Sequence, residues 1–262
     1  CLLSRGLGDV YKRQDFDGLG KSFSGVCIVG AGPVGITLAV ELERLKIPVL
    51  LLESGGHRQS DSIQALAEAD FATPDRHDDM SVATARALGG TSNLWGARCV
   101  IYDPVDFVPR PGLVNANWPI AYDDIFPHYA RACQIADAGD VVYSAPIPGV
   151  TCADDSFSFD TLERWANEQK LHVTHRKLLA RSPLIDVRLR CVVTDIGISP
   201  DGRVRDVEIV RADGGERRRL GVDRLVIAAG GLESARLLLA TQRRHANLFG
   251  GPDGPLGRYY MG

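Results

Sequence analysis

The stretch from Val26 to Glu53 constrains the fold more than any other part of this 262-residue chain. It begins with a short apolar run, continues through Gly30-Ala31-Gly32-Pro33-Val34-Gly35, and ends with a second apolar run, Val49 to Leu52, followed by an acid. The pattern predicts a buried strand, a glycine-rich turn, a helix from about Pro33 to Lys46 and a second buried strand. Together these elements are typical of a dinucleotide-binding βαβ unit.

Each residue of this fingerprint has a physical role. Gly30 permits the tight turn, Gly32 lets the backbone approach a pyrophosphate, and Gly35 allows close packing of helix against strand. Pro33 opens the helix, whose N-terminus presents N–H groups and a positive dipole end to the phosphates. Glu53 lies 23 residues after the first glycine, which matches the spacing of about 20 expected for an acid that accepts hydrogen bonds from a ribose. The fingerprint alone does not separate FAD from NAD.

A second glycine-containing segment, Arg86 to Gly96, predicts a further contact with phosphate and a ring. Arg86 can balance pyrophosphate charge, and the adjacent pair Gly89-Gly90 lets backbone amides reach a cofactor. The side chains of Thr91, Ser92 and Asn93 can bond its edges, and Trp95 can pack near a ring. The alternative for the segment is a polar loop with a surface arginine, and for Trp95 simple burial.

The last third of the chain predicts more sheet. Three segments alternate or run apolar and are separated by turn residues, which predicts an antiparallel meander over 190–198, 204–210 and 217–222. Leu225 to Ala229 then predicts a buried strand that rejoins a parallel sheet, and Gly230-Gly231 opens a helix. Earlier in the chain, Phe159 to Lys170 has a helical pattern that predicts a packing helix.

With these segments in view, the chain resembles the glucose-methanol-choline oxidoreductase family. The resemblance rests on the fingerprint, on the Arg86 to Gly96 signature, and on three later stretches: 117–129 with Asn117-Trp118-Pro119-Ile120, 228–234 with its glycine turn, and 257–262. It implies an α/β fold, namely a Rossmann-like, glutathione-reductase-type parallel FAD-binding sheet with an inserted antiparallel β-meander. The resemblance also implies a substrate domain, which we expect to be largely missing from the chain.

The resemblance also implies a cofactor and a reaction. FAD is expected, and the reaction is oxidation of the CH–OH group of an alcohol or sugar by hydride transfer to flavin N5. The expected cofactor-binding residues are Gly30, Gly32, Pro33, Gly35, Glu53, Ser54, Arg86, Gly89, Gly90, Thr91, Ser92, Asn93, Trp95, Val192, Val193, Ala229 and Gly230. The backbone at Val192 or Val193 would lie along the adenine, with a pure packing role as the alternative.

Two consequences concern the flavin chemistry. Some relatives tether the flavin through a histidine in the second signature, but Asn93, Leu94 and Trp95 stand at the candidate positions here, so non-covalent FAD is expected. The resemblance implies a catalytic base that is a histidine near the family's C-terminus, which is expected to lie beyond the end of this chain. None of the six histidines falls in a matching motif, and no catalytic residue is assigned.

The domain expectations follow from the motifs. Residues 1–14 resemble a translated sequencing adapter and are interpreted as a non-native leader, and 15–262 as the FAD-binding domain. Its parts are the fingerprint at 26–56, a flavin-contacting and cap region at 57–130, the meander at 190–222, and a returning strand and helix at 224–241. The C-terminus looks cut. We therefore expect the chain to be a fragment that is inactive on its own.

Net charge, apolar runs and cysteine spacing limit the classes of partner that the chain is expected to bind. A formal net charge of -3 gives no electrostatic case for nucleic acid, and no apolar run is long enough to span a bilayer. Six scattered cysteines lack metal-ligand spacing, so buried thiols and no metal are expected. The expected partner is a small alcohol or sugar, with an unknown electron acceptor, in a cytoplasmic protein whose export signal could have been lost. The alternatives are a catalytically silent FAD-binding module and an NAD(P)-dependent dehydrogenase.

Overall fold

The computed structural model describes residues 16, 18–112, 118–150, 157 and 159–258. In chain order, the strands and α-helices are β1 (Ser22–Val29), α1 (Pro33–Arg44), β2 (Val49–Leu52), α2 (Asp61–Gln64), α3 (Met80–Ala83), β3 (Arg98–Cys99), α4 (Tyr122–Ile125), α5 (Tyr129–Ala136), β4 (Arg164–Trp165), α6 (Leu171–Thr174), α7 (Arg176–Arg181), β5 (Ile185–Arg188), β6 (Cys191–Ile198), β7 (Val204–Arg211), β8 (Arg217–Ile227) and α8 (Gly231–Gln242). Short 3₁₀ helices lie at Ala65–Ala67, Pro74–Arg76, Gly90–Asn93, Pro104–Phe107, Phe126–His128 and Leu248–Gly250.

The chain forms two compact units. One unit combines Cys1–Leu94 with Lys170–Gly262, and the other is Trp95–Gln169. The domain limits expected from the sequence stay predictions, as does the assignment of residues 1–14, which lie outside the described part of the chain.

A six-stranded sheet in the order β5-β2-β1-β8-β7-β6 forms the centre of the first unit. Strands β5, β2, β1 and β8 run parallel, and β7 and β6 extend the sheet antiparallel. Val26 of β1 lies beside Val49 of β2 on one side and beside Arg224 of β8 on the other. The predicted α/β fold, a parallel sheet with an inserted antiparallel meander, is confirmed.

Strand β8 covers two segments that the sequence predicts as separate strands. The sequence predicts a last meander strand over 217–222 and a separate returning strand at 225–229, but the structure joins them into one strand of 11 residues. Its first half pairs with β7 and its second half with β1. No glycine, proline or asparagine separates Val222 from Leu225, so the backbone stays extended through two exposed residues.

The core of this unit follows the apolar pattern of the fingerprint. The four residues of β2 are all buried, as are Cys27 and Ile28 in β1. Helix α1 buries Gly35, Ile36, Ala39 and Val40. The helix ends at Arg44, two residues earlier than predicted, because Lys46 adopts a positive φ of 62° in the turn toward β2.

The second unit contains the two-stranded pairing of β3 with β4 and the helices α4 and α5. The predicted helix over Phe159 to Lys170 is wrong, since β4 lies within this range. Backbone bonds from Leu162 to Tyr143 and from Ala166 to Ala97 fix the segment as extended chain. These pairings with distant residues override a helical apolar pattern. Asn117, part of one resembling stretch, lies outside the described residues.

Candidate functional site

A groove of about 270 Å³ opens at the carboxyl ends of β1, β2 and β8, next to the start of β6. From β1 the chain crosses through α1 to β2 on one side, whereas β8 lies on the other side of β1. Ligands of open parallel sheets bind outside the carboxyl ends of strands at such a reversal of strand order. The position of the groove is therefore that of a nucleotide site.

The glycine turn after β1 forms the floor of this groove. Gly30 has a φ of +101°, and a Cβ there would lie 2.5 Å from the carbonyl oxygen of Ala228. Its N–H donates to the Leu52 carbonyl at 2.7 Å. Helix α1 begins at Pro33 without a side-chain cap, so N–H groups of its first turn have no acceptor within the helix. The turn thus presents a positive dipole end to the groove.

Glu53 closes β2 at the edge of the groove, where it is almost fully buried. Its Oε2 accepts from the backbone N–H of Ala31 at 2.8 Å, and its Oε1 accepts from the N–H of Gly55 at 2.8 Å and from the Ser54 hydroxyl at 3.2 Å. A carboxylate has about four lone-pair sites, so Oε2 keeps capacity for one further donor. Burial raises the pKa of Glu53, an effect that these hydrogen bonds and the charge of Arg86 oppose.

The second glycine-containing segment packs directly on the first. Gly89 donates its N–H to the Ala31 carbonyl at 2.9 Å, and a Cβ on Gly90 would lie only 2.7 Å from Cα of Gly32. The Ser92 hydroxyl donates to the Gly89 carbonyl, and the Asn93 amide donates to the carbonyls of Leu88 and Gly90. These side chains brace the loop from within, so the two backbones meet without intervening side chains.

Arg86 reaches the groove as a buried cation. It donates to the Ser54 hydroxyl and to the Leu66 carbonyl, each at 3.2 Å, and pairs with Glu233 at 2.9 Å. Its Nε is buried without a hydrogen-bond partner. A buried donor without an acceptor is costly, and a ligand oxygen in the groove would relieve this cost.

Glu233 and Arg236 line the groove and were not predicted from the sequence. Both lie in the first two turns of α8, and Arg236 donates to both carboxylate oxygens of Glu233 at 2.9 to 3.2 Å. Burial alone would raise the pKa of Glu233, but the ion pairs with Arg236 and Arg86 outweigh it and hold the pKa below its ordinary value. The sequence signal that could have located them is a pair of charged residues at the start of a helix that begins at the glycine pair Gly230-Gly231.

Twelve of the seventeen residues expected to bind the cofactor line this groove: Gly30, Gly32, Pro33, Glu53, Ser54, Arg86, Gly90, Thr91, Val192, Val193, Ala229 and Gly230. They come from segments far apart in sequence that the sheet brings together at one edge. Whether each contacts a cofactor stays a prediction.

The other five do not line the groove. Gly35 faces inward, where a Cβ would lie 1.9 Å from the Gly30 carbonyl oxygen. Gly89, Ser92 and Asn93 are engaged in the loop contacts described above. Trp95 belongs to the second unit, where its indole N–H donates to the Gln169 carbonyl at 2.6 Å.

Among the described residues, no histidine lines the groove, and no cluster of three or more histidine, cysteine or acidic residues is placed to hold a metal ion. Among the described helices, none combines the length and apolar character needed to cross a bilayer.

The sheet order, glycine turn and groove define an α/β domain whose fold is of the dinucleotide-binding type, with an inserted meander. Solved oxidoreductases share this fold. An FAD-dependent oxidoreductase from Chaetomium thermophilum superposes with a TM-score of 0.58 at 16% identity, over 87% of this chain and 49% of that one. A fungal aryl-alcohol oxidase superposes with a TM-score of 0.54 at 16% identity, over 86% and 48%. The predicted similarity to oxidoreductases of the glucose-methanol-choline type is confirmed for the fold.

Sequence comparison gives a distant relative. The 6'''-hydroxyparomomycin C oxidase of Streptomyces lividus is 29% identical over an alignment of 115 residues, which covers 40% of this chain and 21% of that protein. No family model matches the chain. The chain spans about half the length of these solved oxidoreductases, and its match covers about a fifth of the curated oxidase.

Proposed function

We propose that this chain binds FAD non-covalently in the groove and is the flavin-binding part of a glucose-methanol-choline oxidoreductase that oxidises an alcohol or sugar. The observation that carries the proposal is the convergence of twelve expected cofactor-binding residues on one groove. The groove lies at the reversal of strand order, where dinucleotides bind in this class of fold.

The residues present fit FAD. The uncapped start of α1 suits a pyrophosphate, because backbone N–H groups and the helix dipole both favour an anion. The unpartnered Nε of Arg86 suits a phosphate oxygen or another acceptor on the ligand. Glu53 keeps one lone-pair site on Oε2 for a ribose hydroxyl. Val192 and Val193, at the start of β6, offer an apolar wall for the adenine.

The reaction class rests on the proposed cofactor and on the names of the similar proteins. FAD, when bound, supplies the acceptor for the hydride that leaves the carbinol carbon. The similar proteins include an aryl-alcohol oxidase and a hydroxyparomomycin oxidase, which favours an alcohol or sugar as substrate here. The residues of this chain bind and orient the cofactor, and we assign none of them to proton transfer.

The test is direct. The purified chain, reconstituted with FAD, is expected to show flavin absorbance, and acid precipitation is expected to release all of it as FAD into the supernatant. Flavin that stays in the precipitate would overturn the non-covalent assignment. A protein that binds NAD and not FAD would overturn the proposal in favour of a nicotinamide-dependent dehydrogenase.

The catalytic part needs a second experiment. We expect alcohols or sugars to reduce the flavin of the protein expressed with any coding sequence that follows residue 262, as bleaching of its absorbance under anaerobic conditions. Bound FAD that none of a broad panel of alcohols and sugars reduces would instead favour the catalytically silent module.

A further inference from the structure

Three charged side chains meet at the edge of the groove. Arg86 pairs with Glu233 at 2.9 Å, and Glu233 pairs in turn with Arg236 at 2.9 Å. All three residues line the groove. The acid therefore stands between two cations, and the group carries one net positive charge.

Arg86 does not depend on Glu233 for its position. The Ser54 hydroxyl and the Leu66 carbonyl each accept a hydrogen bond from its guanidinium, and its side chain is only 10% exposed. Glu233 instead supplies the negative charge that a buried guanidinium requires, because an unpaired buried charge is strongly destabilising. A cofactor diphosphate in the groove would supply negative charge to the same guanidinium.

We propose that Glu233 is a built-in counter-ion for Arg86 that competes with the diphosphate of the cofactor. This inference rests on the proposed function. Without a ligand, Glu233 stabilises the folded protein by neutralising Arg86. With a ligand, its carboxylate repels the phosphates and occupies one donor of Arg86, so it weakens binding. Glu233 thereby sets the affinity of the groove for diphosphates without contacting the reacting atoms.

The proposal predicts opposite effects on stability and on affinity. Glu233→Gln keeps an oxygen that can accept from Arg86 and removes only the charge. We expect the variant to unfold at lower urea concentration, and to bind ADP and FAD about tenfold more tightly in low salt by calorimetry. The gain should shrink as salt is added, because salt screens the charge. A residue with a merely structural role would lower stability and affinity together.

The controls separate this inference from the proposed function. Glu41→Gln removes the acid of an ion pair with Arg44 on α1, outside the groove, and should leave ADP affinity unchanged. Unchanged or weaker ADP and FAD binding by Glu233→Gln would overturn the counter-ion role, whereas FAD binding by the unaltered chain would still support the proposed function. No FAD binding by the unaltered chain would overturn the proposed function itself.

A second variant keeps the test available if the glutamine variant does not fold. Glu233→Ser places a small polar residue in the first turn of α8 and also removes the charge. It should again bind ADP more tightly than the unaltered chain. Equal or weaker binding by this variant would overturn the proposal.

Discussion

The backbone N–H of Ala31 donates a 2.8 Å hydrogen bond to Oε2 of Glu53, so the acid that ends β2 holds the glycine turn that follows β1. The other carboxylate oxygen accepts from the N–H of Gly55 at 2.8 Å. Both donors are buried. Glu53 therefore has a structural role, in addition to the ribose contact predicted from its position.

We expect Glu53→Ala to destabilise the protein before any cofactor is added. The change leaves two buried N–H groups without acceptors, at about 1–3 kcal/mol each. Glu53→Gln keeps one acceptor oxygen and should cost less. The free energy of unfolding from urea titrations checks this order, with Glu216→Ala as a control, since Glu216 is exposed in the turn between β7 and β8. Equal stability of Glu53→Ala and the unaltered chain would show that the bonds contribute nothing.

Gly90→Ala should separate the two glycine-containing loops. Gly90 has a φ of +52°, and an added methyl would lie 2.7 Å from Cα of Gly32, where only backbone is present to give way. We expect a loss of about 1–3 kcal/mol in the free energy of unfolding and weaker FAD binding. The matched control is Gly231→Ala at the start of α8, where a Cβ meets nothing within 4 Å. Similar behaviour of the two variants would contradict the backbone contact.

Much of the site follows from local sequence. Glycine positions, apolar runs and the spacing to Glu53 define the βαβ unit, because each of these signals acts within a few residues or one crossover. The meander was also readable, since Pro200-Asp201-Gly202 and Asp213-Gly214-Gly215 mark its turns. Local signals therefore located most of the residues that line the groove.

The residues that sequence reasoning missed depend on distant partners. Glu233 forms an ion pair with Arg86, which lies about 150 residues earlier in the sequence. No local sequence pattern predicts a contact between residues so far apart. Ser92 and Asn93 have the right chemistry for a cofactor but are used by their own loop. The sequence shows which side chains near a site can form hydrogen bonds. The packing of the folded chain decides which partners those side chains bind.

The buried cysteines should resist alkylation in the folded protein. Cys27 is fully buried in β1, and burial raises the pKa of its thiol to about 12, so almost none is present as the reactive thiolate. Cys99 is only half-buried and should react first among the described cysteines. Iodoacetamide labelling with peptide mass spectrometry checks the order, and unfolding in urea should remove the difference. Early labelling of Cys27 would contradict the burial of β1.

The acid stability of the meander should depend on Asp206. Burial alone would raise the pKa of this carboxyl, but Arg205 and Arg219 outweigh burial and hold the pKa below its ordinary value of 3.8. A carboxyl with a lowered pKa in the folded state stabilises the protein fully above its unfolded pKa. That contribution is lost as pH falls through the folded value.

Asp206→Asn should therefore lower the free energy of unfolding at pH values above 3.8, and the difference from the unaltered chain should shrink below that pH. Urea titrations across this range, monitored by circular dichroism, measure the difference. Asp201→Asn is the control, since its pairing with Arg203 is highly exposed and exposed pairs contribute little. A difference between Asp206→Asn and the unaltered chain that stays constant down to the lowest pH would mean that packing, and not ionisation, accounts for the effect of Asp206.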